Sequence, residues 1–227
     1  MPAEFLERFV TARGMTSRYR VFFPNDFTRE RSWPVILFLH GAGEGGTDGI
    51  APTQVGLGRA VSLAPERFPF VIVFPQSPPR TPWFGASLDV TLAALEATIE
   101  EANGDRERLL LTGISMGGYG TWTLALREPQ RFAALVPVCG GVRVDTVANA
   151  ARKLAHIPQW VFHGDRDDII PVSESREMVA ALRDAGADVR YTEYAGVRHN
   201  SWDRAYADPE LVPWLLAQRR GQPAEIV

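Results

Sequence analysis

The chain has 227 residues, of which 45% are hydrophobic and 22% charged, so its composition is that of a folded globular protein and argues against a disordered one. The formal net charge is −3 and the basic residues are spread along the sequence, which leaves no basic stripe, and we expect no nucleic-acid partner. This length fits one domain, and we predict a single domain over residues 1–227 with a flexible tail at 219–227.

Short β-rich segments alternate with helical segments along most of the chain. The pattern predicts seven strands, at 18–23, 35–39, 70–74, 109–112, 134–138, 160–163 and 189–194. Segments 35–39 and 70–74 are near-continuous apolar runs, as strands covered on both faces require, whereas 18–23 alternates and fits an antiparallel edge strand. The sequence therefore predicts an α/β fold, with a mostly parallel central sheet and helices on both faces.

The helices are predicted between and after these strands. Their ranges are 88–99, 117–126, 144–154, 173–184 and 211–218. In the first of them, four apolar residues recur at helical spacing and form one stripe. Two long irregular segments remain, at 40–67 and 75–86. Both follow predicted strand ends, where open α/β sheets bind ligands, so we expect them to contribute to a site.

Targeting signals and cysteine usage bear on where the protein works. The N-terminal segment has neither a basic region nor an apolar core, so we expect no signal peptide. The longest apolar runs are too short to span a bilayer, so we expect no membrane partner. Cys139 is the only cysteine, which fits a reducing compartment, and we interpret it as a small buried hydrophobe. We predict a cytoplasmic protein; the oligomeric state stays open.

The strongest motif directly follows the predicted strand 109–112. Gly113-Ile-Ser115-Met-Gly117 matches the Gly-x-Ser-x-Gly nucleophile elbow and lies between a strand and a helix, as that motif requires. The glycines leave room for a strained turn that presents the Ser115 hydroxyl, and the following helix N-terminus favours developing negative charge. An ordinary glycine-rich turn is the alternative, which the flanking strand and helix disfavour.

Candidates for a base and an acid follow Ser115 in the chain. A serine nucleophile needs a base, the base needs an orienting acid, and this motif predicts the chain order Ser, acid, His. His199, on a glycine-containing loop after the last predicted strand, is the one histidine of four that satisfies this order. Three aspartates after the preceding strand compete as the acid. We favour Asp167, while Asp165 would brace the turn and Asp168 would face solvent.

The glycine-rich segment after the first buried strand predicts an oxyanion hole. The backbone N–H groups of Ala42 and Met116 are the expected donors, with Gly43 as the alternative to Ala42. We interpret His40 as structural, and we leave Glu44 open between a hydrogen bond within the loop and a contact with substrate. The segment lacks the lysine of a phosphate-binding loop, and no cluster has convincing metal-ligand spacing, so we predict no metal and no cofactor.

Three aromatic residues are candidates for substrate binding. Trp83 lies on a proline-rich loop, Tyr119 follows the nucleophile turn, and Trp202 follows the predicted base. Aromatic walls would suit an apolar or aromatic acyl or alcohol group. Core packing is the alternative, and it is about as strong for Tyr119 and Trp202 as the pocket interpretation.

Four motifs together resemble one family. They read Leu37-Phe-Leu-His-Gly-Ala-Gly-Glu-Gly-Gly, Gly113-Ile-Ser-Met-Gly-Gly, Phe162-His-Gly-Asp-Arg-Asp and Val197-Arg-His-Asn-Ser-Trp. Over nearly its whole length the chain is similar to the small, lidless carboxylesterases of the α/β-hydrolase superfamily, allied to phospholipase/carboxylesterase, predicted-peptidase and feruloyl-esterase-like proteins. The resemblance implies an α/β-hydrolase fold without a large lid domain. It also implies Ser115, Asp167 and His199 as catalytic triad, and Ala42 with Met116 as oxyanion donors.

These observations predict a serine carboxylesterase whose partner is a small-molecule ester. It would hydrolyse short-chain or aromatic carboxylic esters through an acyl-enzyme, with His199 taking the Ser115 proton and Asp167 fixing the imidazole tautomer. Two alternatives stay open. One is a serine peptidase, and the other is a non-catalytic ligand-binding hydrolase scaffold, for which a broken triad would be expected.

Overall fold

The computed structural model describes residues 4–221, in which an eight-stranded sheet carries helices on both faces. The strands are β1 (Phe5–Ala12), β2 (Met15–Phe22), β3 (Trp33–Leu39), β4 (Val71–Pro75), β5 (Gly104–Ile114), β6 (Ala134–Val138), β7 (Gln159–Gly164) and β8 (Val189–Tyr194). Their order in the sheet is β1-β2-β4-β3-β5-β6-β7-β8. The neighbours β1 and β2, and β2 and β4, are antiparallel, and all later neighbours in this order are parallel. The predicted mostly parallel sheet is confirmed.

The helices divide between the two faces of the sheet. They are α1 (Gly56–Leu63), α2 (Ala86–Ala102), α3 (Met116–Arg127), α4 (Val147–Leu154), α5 (Ser173–Asp184), α6 (Trp202–Ala207) and α7 (Leu211–Leu216). Helices α2 to α5 contribute to one apolar cluster, whereas α1, α6 and α7 contribute to the other. Side chains of β3 alternate between these clusters, with Leu37 and Leu39 on one side and Ile36 and Phe38 on the other. This is the burial of a strand covered on both faces.

An edge hairpin adds a strand that the sequence analysis does not predict. Strand β1 pairs with β2 through a two-residue loop, in which Arg13 and Gly14 have φ of 54° and 74°. Positive φ at both central residues defines the type I′ turn, whose twist matches that of the strands it joins. The hairpin extends the sheet beyond the predicted edge strand.

Two sequence predictions of irregular structure are wrong in part. The predicted irregular segment 40–67 contains α1. Helix α6, after His199, lies where the sequence analysis assigns no element. In the predicted flexible tail, the Arg220 backbone N–H donates to Glu107 O at 2.8 Å, and the Arg219 guanidinium lies 3.1 Å from the Asp105 carboxylate. Arg219 and Arg220 are therefore anchored to β5, and residues 222–227 of the predicted tail lie outside the described residues.

The parallel strands define the edge at which the candidate site lies. The carboxyl ends of β3, β5, β6, β7 and β8 all meet at one edge of the sheet. The loops that leave this edge contain the predicted oxyanion segment, Ser115, Cys139, Asp167 and His199. Among the helices of residues 4–221, none combines the length and the apolar character needed to cross a membrane.

Candidate active site

Ser115 occupies the sharp turn between β5 and α3. Its φ of 54° and ψ of −116° lie where side chains other than glycine are rarely found, so the turn stores backbone strain. Glycine is needed on both sides, because a Cβ at Gly113 would overlap the backbone of Gly117, and one at Gly117 would overlap the Leu39 carbonyl. The Ser115 N–H donates to Val138 O at 3.0 Å. These contacts hold the serine at the carboxyl edge of the sheet.

The structure brings Ser115, His199 and Asp167 together from loops that follow three different strands. His199 Nε2 lies 2.9 Å from Ser115 Oγ, and His199 Nδ1 lies 2.8 Å from Asp167 Oδ2. An ionised carboxylate only accepts hydrogen bonds, so Nδ1 carries the imidazole proton. Nε2 then presents a lone pair to the serine hydroxyl, which is the geometry that a general base requires.

The environment of Asp167 favours its ionised form. The side chain is fully buried, and the Ile169 and Ile170 N–H groups donate to its Oδ1 at 2.9 Å and 2.8 Å. Burial raises the pKa of the Asp167 carboxyl, but the hydrogen bonds from His199, Ile170 and Ile169 outweigh it, so the pKa lies below its ordinary value. Asp167 is therefore a carboxylate at neutral pH and can stabilise a protonated His199.

The two neighbouring aspartates have other partners. The Asp165 carboxylate accepts the Gly196 N–H at 2.7 Å and so ties two loops together. The Asp168 carboxylate is half exposed and lies 3.6 Å from the Arg198 guanidinium. Of the three aspartates weighed from the sequence, Asp167 is the one whose carboxylate contacts His199 in the described hydrogen bonds.

His163 is a site residue that the sequence analysis did not assign. Its Nε2 faces two acceptors, Ile170 O at 3.0 Å and Asp167 Oδ2 at 3.2 Å, so the ring proton lies on Nε2. Its Nδ1 then accepts from Ser175 Oγ at 2.7 Å. Burial lowers the pKa of His163, so the ring is neutral, and it contacts the same Asp167 oxygen, Oδ2, as His199 does. Its place at the end of β7, four residues before Asp167, is the signal that could have suggested this contact.

The predicted oxyanion donors flank Ser115. Met116 is the first residue of α3, and the N–H of a first helical residue has no acceptor within its own helix. Ala42 begins a short 3₁₀ turn directly after Gly41, and a Cβ on Gly41 would lie 3.6 Å from Ser115 Cβ. Both backbones therefore run close to the serine, and their action on an oxyanion stays a prediction.

His40 holds the glycine-rich loop in place. The Ser77 N–H donates to His40 Nε2 at 3.0 Å, so the ring proton is on Nδ1, which donates to Gly41 O at 2.6 Å. The Trp83 indole N–H donates to His40 O at 2.9 Å. Burial lowers the pKa of His40 to about 4, so the ring is neutral. On the same loop, burial raises the pKa of Glu44, although backbone N–H groups of the loop hydrogen-bond to its carboxyl.

A pocket of about 370 Å³ opens beside Ser115. Its walls are mostly apolar, and they include Trp83, Phe84, Met116, Tyr119, Val144 and Ile170. Of the three predicted aromatics, Trp83 and Tyr119 line this pocket. Trp202 instead packs edge-on against the His199 ring, with centroids 5.2 Å apart. A larger groove of about 1140 Å³ lies near the amino ends of β7 and β8, away from Ser115, and contacts none of these residues.

Cys139 lies behind the triad. Its Sγ, a carboxylate oxygen of Asp167 and a ring nitrogen of His199 all lie within 4.8 Å of one another, a spacing that metal ligands could share. Burial raises the pKa of the Cys139 thiol to about 12, so the thiol is protonated at neutral pH and is a poor ligand. The side chain is completely buried, as the sequence analysis expected of it.

The Cys139 thiol is expected to be inert in the folded protein. Thiol reagents attack the thiolate, and a pKa of about 12 together with complete burial leaves almost none of it accessible. Reaction with dithionitrobenzoate at pH 8 should release no thionitrobenzoate from native protein and one equivalent from protein unfolded in guanidinium. Rapid release from the native protein would show that the thiol is exposed or ionised, contrary to this geometry.

Comparisons with known proteins place the chain among α/β-hydrolases. The family described as phospholipase/carboxylesterase matches residues 83–208, more than half of the chain. The crystal structure of a thermostable esterase is 34% identical, with a TM-score of 0.83 over 95% of this chain. The acylaminoacyl peptidase of Pyrococcus horikoshii is 15% identical, with a TM-score of 0.75 over 98% of this chain. These matches confirm the predicted α/β-hydrolase fold, with no large lid.

Several of the similar proteins are longer than this chain. An uncharacterized secreted protein of Arthroderma benhamiae is 27% identical over an alignment of 205 positions, and the match covers 73% of this chain and 21% of that protein. The match covers 63% of the thermostable esterase chain and 43% of the peptidase chain. The chain thus spans about a fifth of this curated relative and under two thirds of either structure.

Proposed function

The chain belongs to the phospholipase/carboxylesterase family of α/β-hydrolases, and from this premise we propose that it is a serine carboxylesterase acting on short-chain or aromatic esters. The observation that carries the proposal is the hydrogen-bonded series from Ser115 through His199 to Asp167, with an apolar pocket beside the serine. The thermostable esterase, 34% identical, supports an ester as the substrate.

The geometry suggests how the reaction proceeds. His199 Nε2 takes the Ser115 proton while Oγ attacks the ester carbonyl, and the N–H groups of Met116 and Ala42 receive the oxyanion. Collapse of the tetrahedral intermediate expels the alkoxide, which takes the proton from His199, and an acyl-serine remains. A water molecule then repeats the sequence, giving up a proton to His199 and releasing the carboxylic acid. Asp167 stays ionised throughout and keeps the imidazole in one tautomer.

Pocket size and lining support a small acyl group. A volume of about 370 Å³ lies at the small end of ligand sites, and the walls are aromatic and aliphatic. Short aliphatic chains and single aromatic rings fit such a space, whereas a long acyl chain would extend beyond it into solvent. The 15% likeness to a peptidase concerns the fold alone and does not favour peptide substrates.

An ester panel tests the proposal. We expect p-nitrophenyl acetate, butyrate and benzoate to be hydrolysed with kcat/KM on the order of 10⁴ M⁻¹s⁻¹ or above, and the laurate ester much more slowly. Methyl ferulate and a peptide p-nitroanilide complete the panel. Turnover confined to the anilide would make the protein a peptidase. Binding of esters without turnover of any substrate would make it a non-catalytic scaffold.

Three further statements stay predictions from the sequence. These are the single-domain organisation, the cytoplasmic location and the expectation of no nucleic-acid or membrane partner. The family and the fold are compatible with each of them but test none.

A further inference from the structure

The pocket beside Ser115 has one charged wall. Among its described lining residues, Arg143 is the only ionisable residue that carries a charge at neutral pH, and the others are apolar or neutral polar groups. Arg143 lies in the loop after β6, and its guanidinium sits 4.6 Å from the centroid of the Tyr119 ring. One terminal nitrogen donates to the Tyr119 hydroxyl at 3.1 Å. A cation therefore lies in the pocket wall, in contact with the ring and the hydroxyl of Tyr119.

The guanidinium keeps donors for a further acceptor. Arginine has five N–H donors, and the described hydrogen bonds of Arg143 use one of them. The nearest carboxylate, Glu174, lies 3.9 Å away, which is an ion-pair distance but too long for a hydrogen bond. The Arg143 side chain is 69% exposed. A carboxylate in the pocket could thus form the paired hydrogen bonds that guanidinium groups favour.

The acyl side of the substrate is the side that faces Arg143. The leaving alkoxide takes its proton from His199, so the alcohol group lies on the His199 side of the serine. The pocket is lined by Ser115 and Met116 but not by His199. We therefore assign this pocket to the acyl group, which stays attached to Ser115.

The backbone spacing between Ser115 and Tyr119 guides the choice of the acyl chain to be tested. Tyr119 is four residues after Ser115, which corresponds to about 6 Å along the helix at 1.5 Å per residue. An extended chain of about six carbons covers a comparable distance. We propose, on the premise that the protein is the carboxylesterase described above, that Arg143 with Tyr119 forms a subsite for a carboxylate at the far end of the acyl group. The substrate class is then the half-esters of dicarboxylic acids.

A matched pair of esters tests this subsite. Mono-p-nitrophenyl adipate and p-nitrophenyl hexanoate have the same leaving group and six-carbon acyl chains, and they differ in the terminal carboxylate. The measured quantity is the ratio of their kcat/KM values, adipate over hexanoate. We expect Arg143→Gln to lower this ratio about two- to five-fold, the range for one exposed ion pair, mainly through the KM for the adipate.

Two further variants sharpen the test. Glu174→Gln removes the carboxylate that competes for Arg143, so it should raise the ratio, opposite in sign to Arg143→Gln. Arg59→Gln makes the same charge change at an exposed position on α1, on the other face of the sheet, and should leave the ratio unchanged. Increasing ionic strength from about 0.01 M to about 1 M should lower the wild-type ratio and leave that of Arg143→Gln nearly constant.

The outcomes separate the subsite from the proposed function. If wild type hydrolyses both esters and Arg143→Gln leaves the ratio unchanged, the subsite is wrong and the esterase stands. If wild type hydrolyses neither ester, the subsite is tested by the binding of both esters to the Ser115→Ala protein, measured by quenching of tryptophan fluorescence. Preferential binding of the adipate, lost in the Ser115→Ala/Arg143→Gln protein, would support the subsite without the esterase. Equal binding of both esters would overturn it.

Discussion

Replacing Ser115 by alanine is expected to lower kcat for p-nitrophenyl acetate by about 10⁴- to 10⁶-fold, the range typical of removing the nucleophile from such a triad. Among the hydrogen bonds of the described residues, the Ser115 hydroxyl is the group that contacts His199 Nε2, at 2.9 Å, so the substitution removes the nucleophile that the base activates. Alanine keeps the Cβ in the strained turn, so the fold should be retained and KM for the residual activity should change little.

Ser62→Ala is the matched control for this prediction. Ser62 is an exposed serine on α1, and its hydroxyl donates to the Gly58 carbonyl within that helix. This variant should keep wild-type kcat and should react with a fluorophosphonate probe, whereas the Ser115→Ala protein should not react. Wild-type turnover by purified Ser115→Ala, or labelling of the variant by the probe, would remove Ser115 from the mechanism.

The parallel core of the sheet could be predicted because its strands are uniformly apolar. All residues of β3, β4, β6 and β7 are buried, and the sequence prediction located each of them within two residues. β5 differs because it starts five residues earlier than predicted, in the polar segment Gly104-Asp-Arg-Glu-Arg108. That segment is only partly buried, so hydrophobicity does not mark it. Within this extension Gly104 pairs with Trp33 of β3, and the register then shifts before pairing resumes at Leu109, an irregularity that a single-sequence pattern does not contain.

The elements that were missed depend on tertiary contacts more than on local propensity. Helix α1 begins at Gly56 and contains Gly58, and glycine is an unfavourable helix residue. Gly56 has φ of 51°, and a Cβ there would crowd Phe38 and Tyr206. The helix forms because Gly56 lets it approach the sheet closely and Gly58 lets it approach the Thr53 backbone, and its Leu57 and Val61 are buried in the core. Such a gain from packing is invisible in the local sequence.

The triad could be predicted because motif and chain order constrain it. Ser115 lies in a five-residue pattern with a steric reason for each glycine, and the order of acid and base then limits the choices for His199. His163, Arg143 and Glu174 could not be found in this way, because each contributes through a tertiary contact that no motif marks. Trp202 shows the same limit, because its closeness to His199 in sequence did not reveal that it packs on the imidazole and not in the pocket.

Asp167→Asn is expected to lower kcat by about 10⁴-fold, which corresponds to ~5 kcal/mol of transition-state stabilisation. The amide oxygen must stay at the Oδ1 position, because the Ile169 and Ile170 N–H groups point there. The amide nitrogen then faces His199 Nδ1 and donates to it, so the imidazole proton moves to Nε2. An Nε2 that already carries a proton cannot take one from Ser115. The substitution therefore keeps the shape of the side chain at position 167 but removes the ability of His199 to act as a base.

The two neighbouring aspartates supply the controls. Asp168→Asn should retain activity within about two-fold, because its carboxylate is half exposed and contacts only Arg198 among the described ion pairs. Asp165→Asn weakens the hydrogen bond to the Gly196 N–H and should lower thermal stability more than kcat.

Because the amide nitrogen introduced by Asp167→Asn would also face the His163 N–H, we expect some loss of stability in that variant, so kcat is measured well below its unfolding temperature. If Asp165→Asn or Asp168→Asn lost activity while Asp167→Asn kept it, Asp167 would not be the carboxylate that orients His199.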